Sequence, residues 1–285
     1  MSTLSHRVGF SKYLSISAYL RKARLIAART LLKWGVTLRN TTLVDGERIT
    51  FVATSFIEYF LRAEESYTRE EVTMYWIRNC IRPGDVVFDI GANVGAYSLL
   101  VGKKVATGSG MVYAFEPEAA NFSALNRNIR ENLLSETVLA YSIAFADSLR
   151  IGKFYLSDIE VGSAMHSVDQ PISDRHHFVA RHVQGVVISS VDMFVSESGI
   201  KFPNHIKIDV DGVEKSIVKN MSTVLHDERV KSIMIEIELV ISGGEIEALI
   251  ESAGFQEIMR EHWEGKTIDN VLYTRTDSRS ASPTI

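Results

Sequence analysis

The sequence has few cysteines and prolines, and each shortage excludes a class of structure. Cys80 is the only cysteine among 285 residues, so neither an intrachain disulfide framework nor a cysteine-based metal site can form. Five prolines and no repetitive tract argue against a long disordered region. No apolar run reaches the roughly 18 residues that span a bilayer, and the N-terminus lacks the basic-then-apolar order of a secretory signal. We therefore expect a cytoplasmic protein.

Acidic residues are missing from the first 44 positions. This segment holds eight of the 31 basic residues, whereas all 35 acidic residues lie beyond it, so a basic arm precedes an acidic body. The net charge of −4 gives no indication of nucleic-acid binding. Residues 12–34 carry apolar side chains at steps of three and four, which predicts an amphipathic helix. Either its apolar face packs on the main domain, or the helix makes peripheral contact with the inner face of the membrane.

Beyond residue 66, short β-branched segments alternate with helical patterns, which predicts parallel βαβ units. The predicted strands of the main sheet are 86–90, 111–115, 137–143, 206–209, 230–237, 255–260 and 271–275. The predicted helices are 69–80, 94–106, 118–132, 214–225 and 245–253. The link between the last two strands is too short for a crossover helix, so that pair should be antiparallel. The sequence thus predicts an α/β fold with an open, mostly parallel seven-stranded sheet, an antiparallel last strand and an N-terminal helical extension.

The pattern divides the chain into three parts: a basic helical and strand extension over 1–66, a catalytic domain over 67–276, and a disordered tail over 277–285. Residues 144–190 break the alternation, because strand-like pieces flank a polar stretch at 157–182. Four histidines fall in that stretch, at positions 166, 176, 177 and 182. Their spacing does not match a helical pair of metal ligands, so we interpret the stretch as a solvated loop on the substrate side.

The glycine-containing turn after the first strand of the sheet carries the chemistry. Ligands of open α/β sheets bind outside the carboxyl ends of the strands, where the first strand borders the point at which strand order reverses. Gly91 and Gly95 permit a tight turn and close approach of the backbone to a ligand. The middle glycine of a dinucleotide fingerprint is replaced by Asn93, and Asp89 adds a charge that repels phosphate. A cationic ligand with an amino-acid part, such as S-adenosylmethionine, fits better.

Glu116 ends the second strand of the sheet, about 20 residues beyond the glycine turn. A carboxylate there can accept hydrogen bonds from both ribose hydroxyls of a nucleoside. Nicotinamide enzymes use the same device, so this position alone does not discriminate between cofactors.

Three stretches of this chain resemble the FkbM-type methyltransferase family, whose members depend on S-adenosylmethionine. They are Val87-Phe88-Asp89-Ile90-Gly91-Ala92-Asn93-Val94-Gly95-Ala96-Tyr97-Ser98, Tyr113-Ala114-Phe115-Glu116-Pro117 and Lys207-Ile208-Asp209-Val210-Asp211-Gly212-Val213-Glu214. The resemblance covers roughly residues 67–275, and the third stretch is the most specific to the family. Asp211 is a departure, because the family often has Glu there.

The resemblance implies a Rossmann-like class I methyltransferase fold and a set of cofactor contacts. Gly91, Asn93 and Gly95 would line the methionine part of S-adenosylmethionine, and Asp89 would reach its ammonium group directly or through water. Glu116 would hold the ribose. The adenine would be bordered by three residues at the end of the third strand, namely Ser142, Ile143 and Ala144.

Asp209 and Glu236 end the fourth and fifth strands, so they should lie at the same edge of the sheet. One of them can act as a general base for a substrate hydroxyl, or the two together can bind a divalent cation. A third role is purely structural, with Asp211 and Glu214 capping the following helix. We assign Asp209 and Glu236 as catalytic and assign no metal ligands, with the other two roles left open.

The sequence predicts a methyltransferase that uses S-adenosylmethionine and methylates a hydroxyl group of a saccharide, a glycolipid or a secondary metabolite. The alternatives are a nicotinamide-dependent Rossmann oxidoreductase and a cofactor-binding scaffold without catalysis. Asp209-Val210-Asp211 also resembles the short acidic motif of glycosyltransferases. That class is disfavoured, because the motif follows the wrong strand of the sheet. The sequence identifies neither the acceptor nor the oligomeric state.

Overall fold

The computed structural model of the chain describes residues 7–173, 176–263 and 265–276. The predicted tail, 277–285, therefore lies outside the described residues. None of the helices within the described ranges has both the length and the hydropathy that a membrane span needs. The cytoplasmic location inferred from the sequence stays a prediction.

An N-terminal layer precedes the main sheet. It consists of α1 (Arg7–Lys33), β1 (Leu38–Val44), β2 (Glu47–Ala53), a π-helix (Ile57–Glu65), α2 (Ser66–Arg69) and α3 (Glu71–Asn79). Asp45 and Gly46 have φ angles of 51° and 87°, which are the left-handed values that a type I′ hairpin turn requires. The sequence predicted strands within this extension, but it predicted neither their lengths nor the π-helix.

Strands and helices then alternate as predicted, through β3 (Val86–Ile90), α4 (Ala96–Ala106), β4 (Met111–Phe115), α5 (Ala119–Glu131) and β5 (Val138–Tyr141). The predicted third strand, 137–143, was too long. The chain leaves the main sheet after Tyr141, and Ala144 pairs with a different sheet.

The different sheet belongs to an insert that follows β5 in the chain. This insert contains β6 (Ala144–Phe145), β7 (Arg150–Leu156), β8 (Ser167–Val168), β9 (Ile172–Ser173), β10 (His176–His177) and β11 (His182–Ser189). Four of these strands form one sheet in the order β6-β11-β7-β8, and β9 pairs with β10 separately. A small core of Ala144, Phe154, Leu156 and Ile188 holds the insert together.

The second half resumes the alternation. It contains α6 (Val191–Ser198), β12 (His205–Ile208), α7 (Glu214–Lys219), α8 (Ser222–His226), β13 (Ser232–Glu238), α9 (Leu239–Ser242), α10 (Glu245–Ser252), β14 (Phe255–His262) and β15 (Ile268–Arg275). The predicted single helix 214–225 was wrong. The chain breaks it at Asn220 and Met221, and the Met221 side chain is completely buried in the core.

The main sheet has seven strands in the order β14-β15-β13-β12-β3-β4-β5. β15 lies between β13 and β14 and is antiparallel to both, whereas β13, β12, β3, β4 and β5 run parallel to one another. The predicted α/β fold, a Rossmann-like class I methyltransferase sheet with an antiparallel last strand, is confirmed. β12 is the direct neighbour of β3, so their carboxyl ends meet at one edge, at the point where strand order reverses.

The N-terminal layer shares its core with the main sheet. Ile49 and Phe51 of β2 are fully buried in the same apolar cluster as Val94 and Leu99, beside α4. Helix α1 makes a smaller contact, through Ala28 and its neighbours, with the hairpin and the π-helix. The division of the chain at residue 66 stays a prediction.

Candidate functional site

The turn between β3 and α4 is tight because three of its residues have left-handed backbone conformations. Gly91, Asn93 and Gly95 have φ angles of 86°, 51° and 96°. A Cβ atom on Gly91 would lie 1.7 Å from the carbonyl oxygen of Asp209, so no larger residue fits there. The contact brings the end of β12 against the turn. At Gly95 a Cβ atom would instead meet the Leu125 side chain, in the core.

The five amide groups of this turn all donate to the protein itself. Gly91 and Ala92 donate to the carbonyl oxygen of Phe115 at 3.0 Å, and Gly95 donates to Ala92. The Asn93 amide donates to Glu116 at 2.8 Å, and the Val94 amide donates to the Asn93 side chain at 2.9 Å. A diphosphate group binds at such a turn through free backbone N–H groups. This turn therefore offers it no donors without rearrangement.

Glu116 is buried at the carboxyl end of β4, where each of its oxygens accepts one backbone hydrogen bond. Asn93 donates to Oε2 and Glu118 donates to Oε1, both at 2.8 Å. Burial raises the pKa of Glu116 to about 8. A carboxylate has about four lone-pair sites, so two remain for hydroxyl donors of a ligand.

A cleft lies at the carboxyl ends of β3, β4 and β12, and its empty space, including the part open to solvent, is about 710 Å³. Its polar wall holds Glu116, Asp209 and Asp211, and its apolar wall holds Ile143, Phe145 and Val210. Among the described residues that line the cleft, the basic side chains are those of Arg62 and His166. Acidic side chains therefore outnumber basic ones in the lining of the cleft.

The insert closes one side of the cleft through the segment 161–164. The Ser163 carbonyl oxygen accepts hydrogen bonds from the side chains of Asn93, at 2.8 Å, and Asn121, at 3.1 Å. Gly162 donates to Asn121 at 2.7 Å, and its carbonyl oxygen accepts from Arg62 at 2.9 Å. Sequence reasoning missed Asn121 and Arg62. The position of Asn121 in the first turn after β4 was the available signal, whereas Arg62 carried none.

The interpretation of all four histidines as a solvated loop was wrong for His166. This side chain is 6% exposed, packs edge-on against Phe154 and lines the cleft. Its Nδ1 accepts a hydrogen bond from the Ser157 amide at 3.3 Å, and burial lowers its pKa. His182 is exposed, and the side chains of His176 and His177 lie outside the described part of the structure.

A buried lysine lies behind the cleft and binds the carboxylate of Asp209. Lys207 is 2% exposed, and its Nζ donates to Oδ2 of Asp209 at 2.7 Å and lies 3.9 Å from Oδ1 of Asp89. Burial alone would lower the pKa of Lys207, but the carboxylates of Asp209, Asp89 and Glu70 raise it above its ordinary value. The lysine is therefore charged, and it neutralises part of the negative charge at this edge of the sheet.

Asp89 lies beneath the turn rather than in the cleft wall. It is 3% exposed, and its Oδ2 accepts a hydrogen bond from Ser98 at 2.5 Å. Its Oδ1 is buried and has no hydrogen-bond partner within the described ranges. Burial raises the pKa of Asp89.

Glu236 lies next to Asp209, as the strand register requires. Ile208 of β12 pairs with Ile235 of β13, so the two carboxylates follow directly on neighbouring strands. Burial first, and then the charges of Asp209 and other carboxylates, raise the pKa of Glu236 well above its ordinary value. Burial and the charge of Asp209 also raise the pKa of Glu70, which accepts a hydrogen bond from Thr73. Of these three carboxylates, Asp209 is the member that lines the cleft.

Asp211 and Glu214 hold the loop after β12. Glu214 accepts hydrogen bonds from the amides of Val210 and Gly212, and burial raises its pKa to about 7. Asp211 has a left-handed φ of 59° and accepts from the Met165 amide of the insert. Both residues have structural contacts, and Asp211 also lines the cleft.

Two of the three residues predicted to border the adenine line the cleft, and the third does not. Ile143 and Ala144 line the cleft, whereas Ser142 is exposed and lies outside the lining. Among the described residues, no group of three or more His, Cys, Asp or Glu side chains has the arrangement of a metal site. The roles assigned to these residues from the sequence stay predictions.

Comparison with known proteins gives one family match. The model of the methyltransferase FkbM domain matches residues 89–257. The chain is 25% identical over 221 residues to the 31-O-demethyl-FK506 methyltransferase FkbM of Streptomyces tacrolimicus, covering 69% of this chain and 83% of the relative. It is also 25% identical to the hexuronic acid methyltransferase AglP of Haloferax volcanii, covering 59% of this chain and 62% of that protein.

Solved structures resemble this chain at low sequence identity. A crystal structure of methyltransferase FkbM from Methylobacillus flagellatus KT has a TM-score of 0.49 and 14% identity, covering 76% of this chain and 50% of the other.

Proposed function

This chain belongs to the methyltransferase FkbM family, and from this premise we propose that it transfers a methyl group from S-adenosylmethionine to a hydroxyl oxygen. The acceptor class that we assign is a saccharide, a glycolipid or a secondary metabolite. The observation that carries the proposal is that Glu116 and Asp209, on two strands that flank β3, line one cleft. Glu116 would bind the cofactor, and Asp209 would act on the acceptor.

The residues of the cleft fit this cofactor better than a dinucleotide. The two remaining lone-pair sites of Glu116 match a pair of ribose hydroxyls. The turn amides already donate within the protein, so they are not free to donate to a diphosphate. S-adenosylmethionine has no phosphate group and does not need these donors. Asp89 would reach the cofactor's ammonium group only after the turn above it opens, because its Oδ1 is buried and lies outside the lining of the cleft. These contacts argue against the nicotinamide-dependent alternative.

The cofactor supplies an activated methyl group, and the protein aligns the acceptor with it. Gly91, Asn93 and Gly95 would hold the methionine part, and Ile143 and Ala144, with Ser142 at the margin, would border the adenine. The apolar side chains of Phe145 and Val210 exclude water from that part of the cleft.

Asp209 has the geometry of a general base. Its Oδ2 is bound to Lys207, which fixes the carboxylate, and its side chain keeps 31% of its surface exposed toward ligands. We assign Oδ1 to the acceptor hydroxyl, which must lose its proton as the new bond to oxygen forms. Glu236 lies beside it, and burial together with the charge of Asp209 raises the pKa of Glu236 well above its ordinary value.

Two relatives support an oxygen acceptor. One is described as acting on 31-O-demethyl-FK506, where the methylated atom is an oxygen, and the other on hexuronic acid. Because these relatives share only a quarter of their residues with this chain, they support the reaction class and not one acceptor.

Calorimetry and a transfer assay test the proposal. S-adenosylhomocysteine should bind the purified chain, and NADH should not. Incubation of S-adenosylmethionine with panels of uronic acids, oligosaccharides and hydroxylated secondary metabolites should then yield an O-methylated product by mass spectrometry. Binding without transfer to any panel member would favour the scaffold alternative, and binding of NADH instead would contradict the proposal.

A further inference from the structure

Helix α1 contacts the body of the protein through one narrow face. Ala28 and Leu32 are buried against Ala53 of the hairpin and Tyr59 of the π-helix. Ion pairs between Arg21 and Glu65 and between Arg24 and Glu64 fix the same side of the helix. The helix is therefore held against the domain, and its opposite side faces outward.

That outward side is apolar. At 100° per residue, Ile26, Tyr19, Leu20 and Leu31 fall within an arc of roughly 140° that lies opposite Ala28. Ala23, Ala27 and Thr30 complete the arc, and no charged residue between positions 19 and 33 falls inside it. Tyr19, Leu20 and Ile26 are 72%, 61% and 59% exposed, and Trp34, just beyond the helix, is 78% exposed. We call this surface, formed by Tyr19, Leu20, Ile26, Leu31 and Trp34, the outer face.

Positive charges border the outer face. Lys22 and Lys33 are exposed along one edge of it, together with Arg29, whose guanidinium group also packs over the Phe56 ring, whereas Arg24 at the other edge is paired with Glu64. The first 44 residues contain no acidic residue that could pair with these groups from within the arm. An apolar stripe with basic margins and aromatic residues at its ends is the pattern of a helix that lies in a lipid–water interface.

We propose that the outer face of α1 binds the surface of an anionic lipid bilayer. Charge complementarity selects this occupant over a second copy of the chain. Two copies meeting through their outer faces would bring the rows of Lys22, Arg29 and Lys33 together, with no acidic residue on either helix to pair with them. An anionic bilayer accepts the apolar stripe in its interface and attracts the basic edge.

The π-helix links this surface to the cleft. Tyr59 packs against α1 from one side of the π-helix, and Arg62, less than one turn further along, lines the cleft. Only one layer of structure thus separates the proposed lipid contact from the site. The proposal does not depend on the reaction, because lipid binding is measured without cofactor or acceptor.

Co-sedimentation of the full chain with vesicles tests the proposal. The chain should sediment with vesicles of phosphatidylcholine and phosphatidylglycerol, sediment far less with phosphatidylcholine alone, and be released as salt is raised. Lys22→Gln with Lys33→Gln should weaken binding to the anionic vesicles by roughly fivefold for each charge removed. The variant Leu20→Ser, Ile26→Ser, Trp34→Ser should abolish binding.

Matched controls use exposed residues of the same types on β7. Ile151→Ser and Lys153→Gln should leave vesicle binding unchanged, because neither lies on α1. Melting temperatures of all variants should stay near that of the original chain, since the changed side chains are exposed. Vesicle binding that is absent from the original chain, or equal in the outer-face variant, would overturn the proposal. A dimer in light scattering that only the outer-face variant disrupts would assign the face to a second copy instead.

Discussion

The ammonium group of Lys207 lies 2.7 Å from Oδ2 of Asp209, and the lysine is almost completely buried while the aspartate reaches the cleft. This pair connects the core of the sheet to the site. The lysine keeps an otherwise crowded set of carboxylates stable, and it orients the one carboxylate that a ligand can touch.

Lys207→Met should destabilise the fold by about 3 kcal/mol, because it leaves Asp209 and Asp89 without their counter-charge. Urea denaturation measures the loss. The double variant Lys207→Met, Asp209→Asn should be more stable than Lys207→Met alone, since the unpaired charge is gone. Additive losses in this cycle would show that the two side chains do not interact.

Asp209→Asn should lower turnover by about 100-fold or more while leaving affinity for S-adenosylhomocysteine nearly unchanged, because general-base catalysis contributes roughly 10²–10⁴. Glu236→Gln should change turnover far less, since Asp209 is the carboxylate that Lys207 orients and that lines the cleft. Steady-state kinetics with the acceptor found in the panels, beside calorimetry, separates the two effects. Equal loss of affinity and turnover in Asp209→Asn would place Asp209 against the cofactor.

Glu116→Ala should weaken binding of S-adenosylhomocysteine by about 1–3 kcal/mol, the usual loss for charge-assisted hydrogen bonds. Glu131→Gln is the control, because Glu131 pairs with Arg39 at the surface, away from the cleft. Unchanged affinity in a folded Glu116→Ala protein would remove this residue from the site.

Stability without ligand should fall as pH rises, and Glu116 should account for part of the fall. Burial raises its pKa from 4.5 to about 8, so the folded state binds a proton that the unfolded state releases. The stabilisation is complete below about pH 4.5 and is lost as pH rises toward 8, by up to about 5 kcal/mol. Glu116→Gln should flatten this part of the profile in denaturation experiments between those values. Parallel profiles for the two proteins would mean that Glu116 ionises normally.

Gly91→Ala should destabilise the fold severely, by more than about 4 kcal/mol, because its Cβ would clash with the Asp209 carbonyl group in addition to the left-handed strain. Gly35→Ala measures the cost of the left-handed backbone conformation without a steric clash. Gly35 has a φ of 77° and open space around it, so the substitution there should cost only about 1–2 kcal/mol. Comparable losses at both positions would show that the turn relaxes away from β12.

The sequence predicted the parts of the fold that depend on local pattern. Met111–Phe115 is a continuous apolar run between turn signals, Val86–Ile90 is apolar except for Asp89, and both strands have the predicted bounds. The placement of Asp209 and Glu236 at neighbouring strand ends also followed, because the carboxyl ends of parallel strands meet at one edge of a sheet. The π-helix at Ile57–Glu65 did not follow, since no local pattern in its residues indicates that backbone conformation.

The site was predictable for residues within motifs and not for residues that long-range contacts bring in. His166 was assigned to a solvated loop because its neighbours are polar, yet the insert folds it against Phe154. Lys207 was part of the recognised stretch, but its burial between Asp89 and Asp209 became visible only when β12 was placed beside β3.

Asn93 belongs to the glycine turn and at the same time donates to the Ser163 carbonyl oxygen of the insert. Any ligand that displaces this side chain must also break a bond that holds the opposite wall of the cleft. The two ligands of a transferase that occupy this cleft would then be thermodynamically linked, and the factor by which one changes the affinity of the other is reciprocal. Such a linkage makes the affinity for each ligand depend on whether the other is bound. Asn93 is the side chain through which the two walls of the cleft would be coupled.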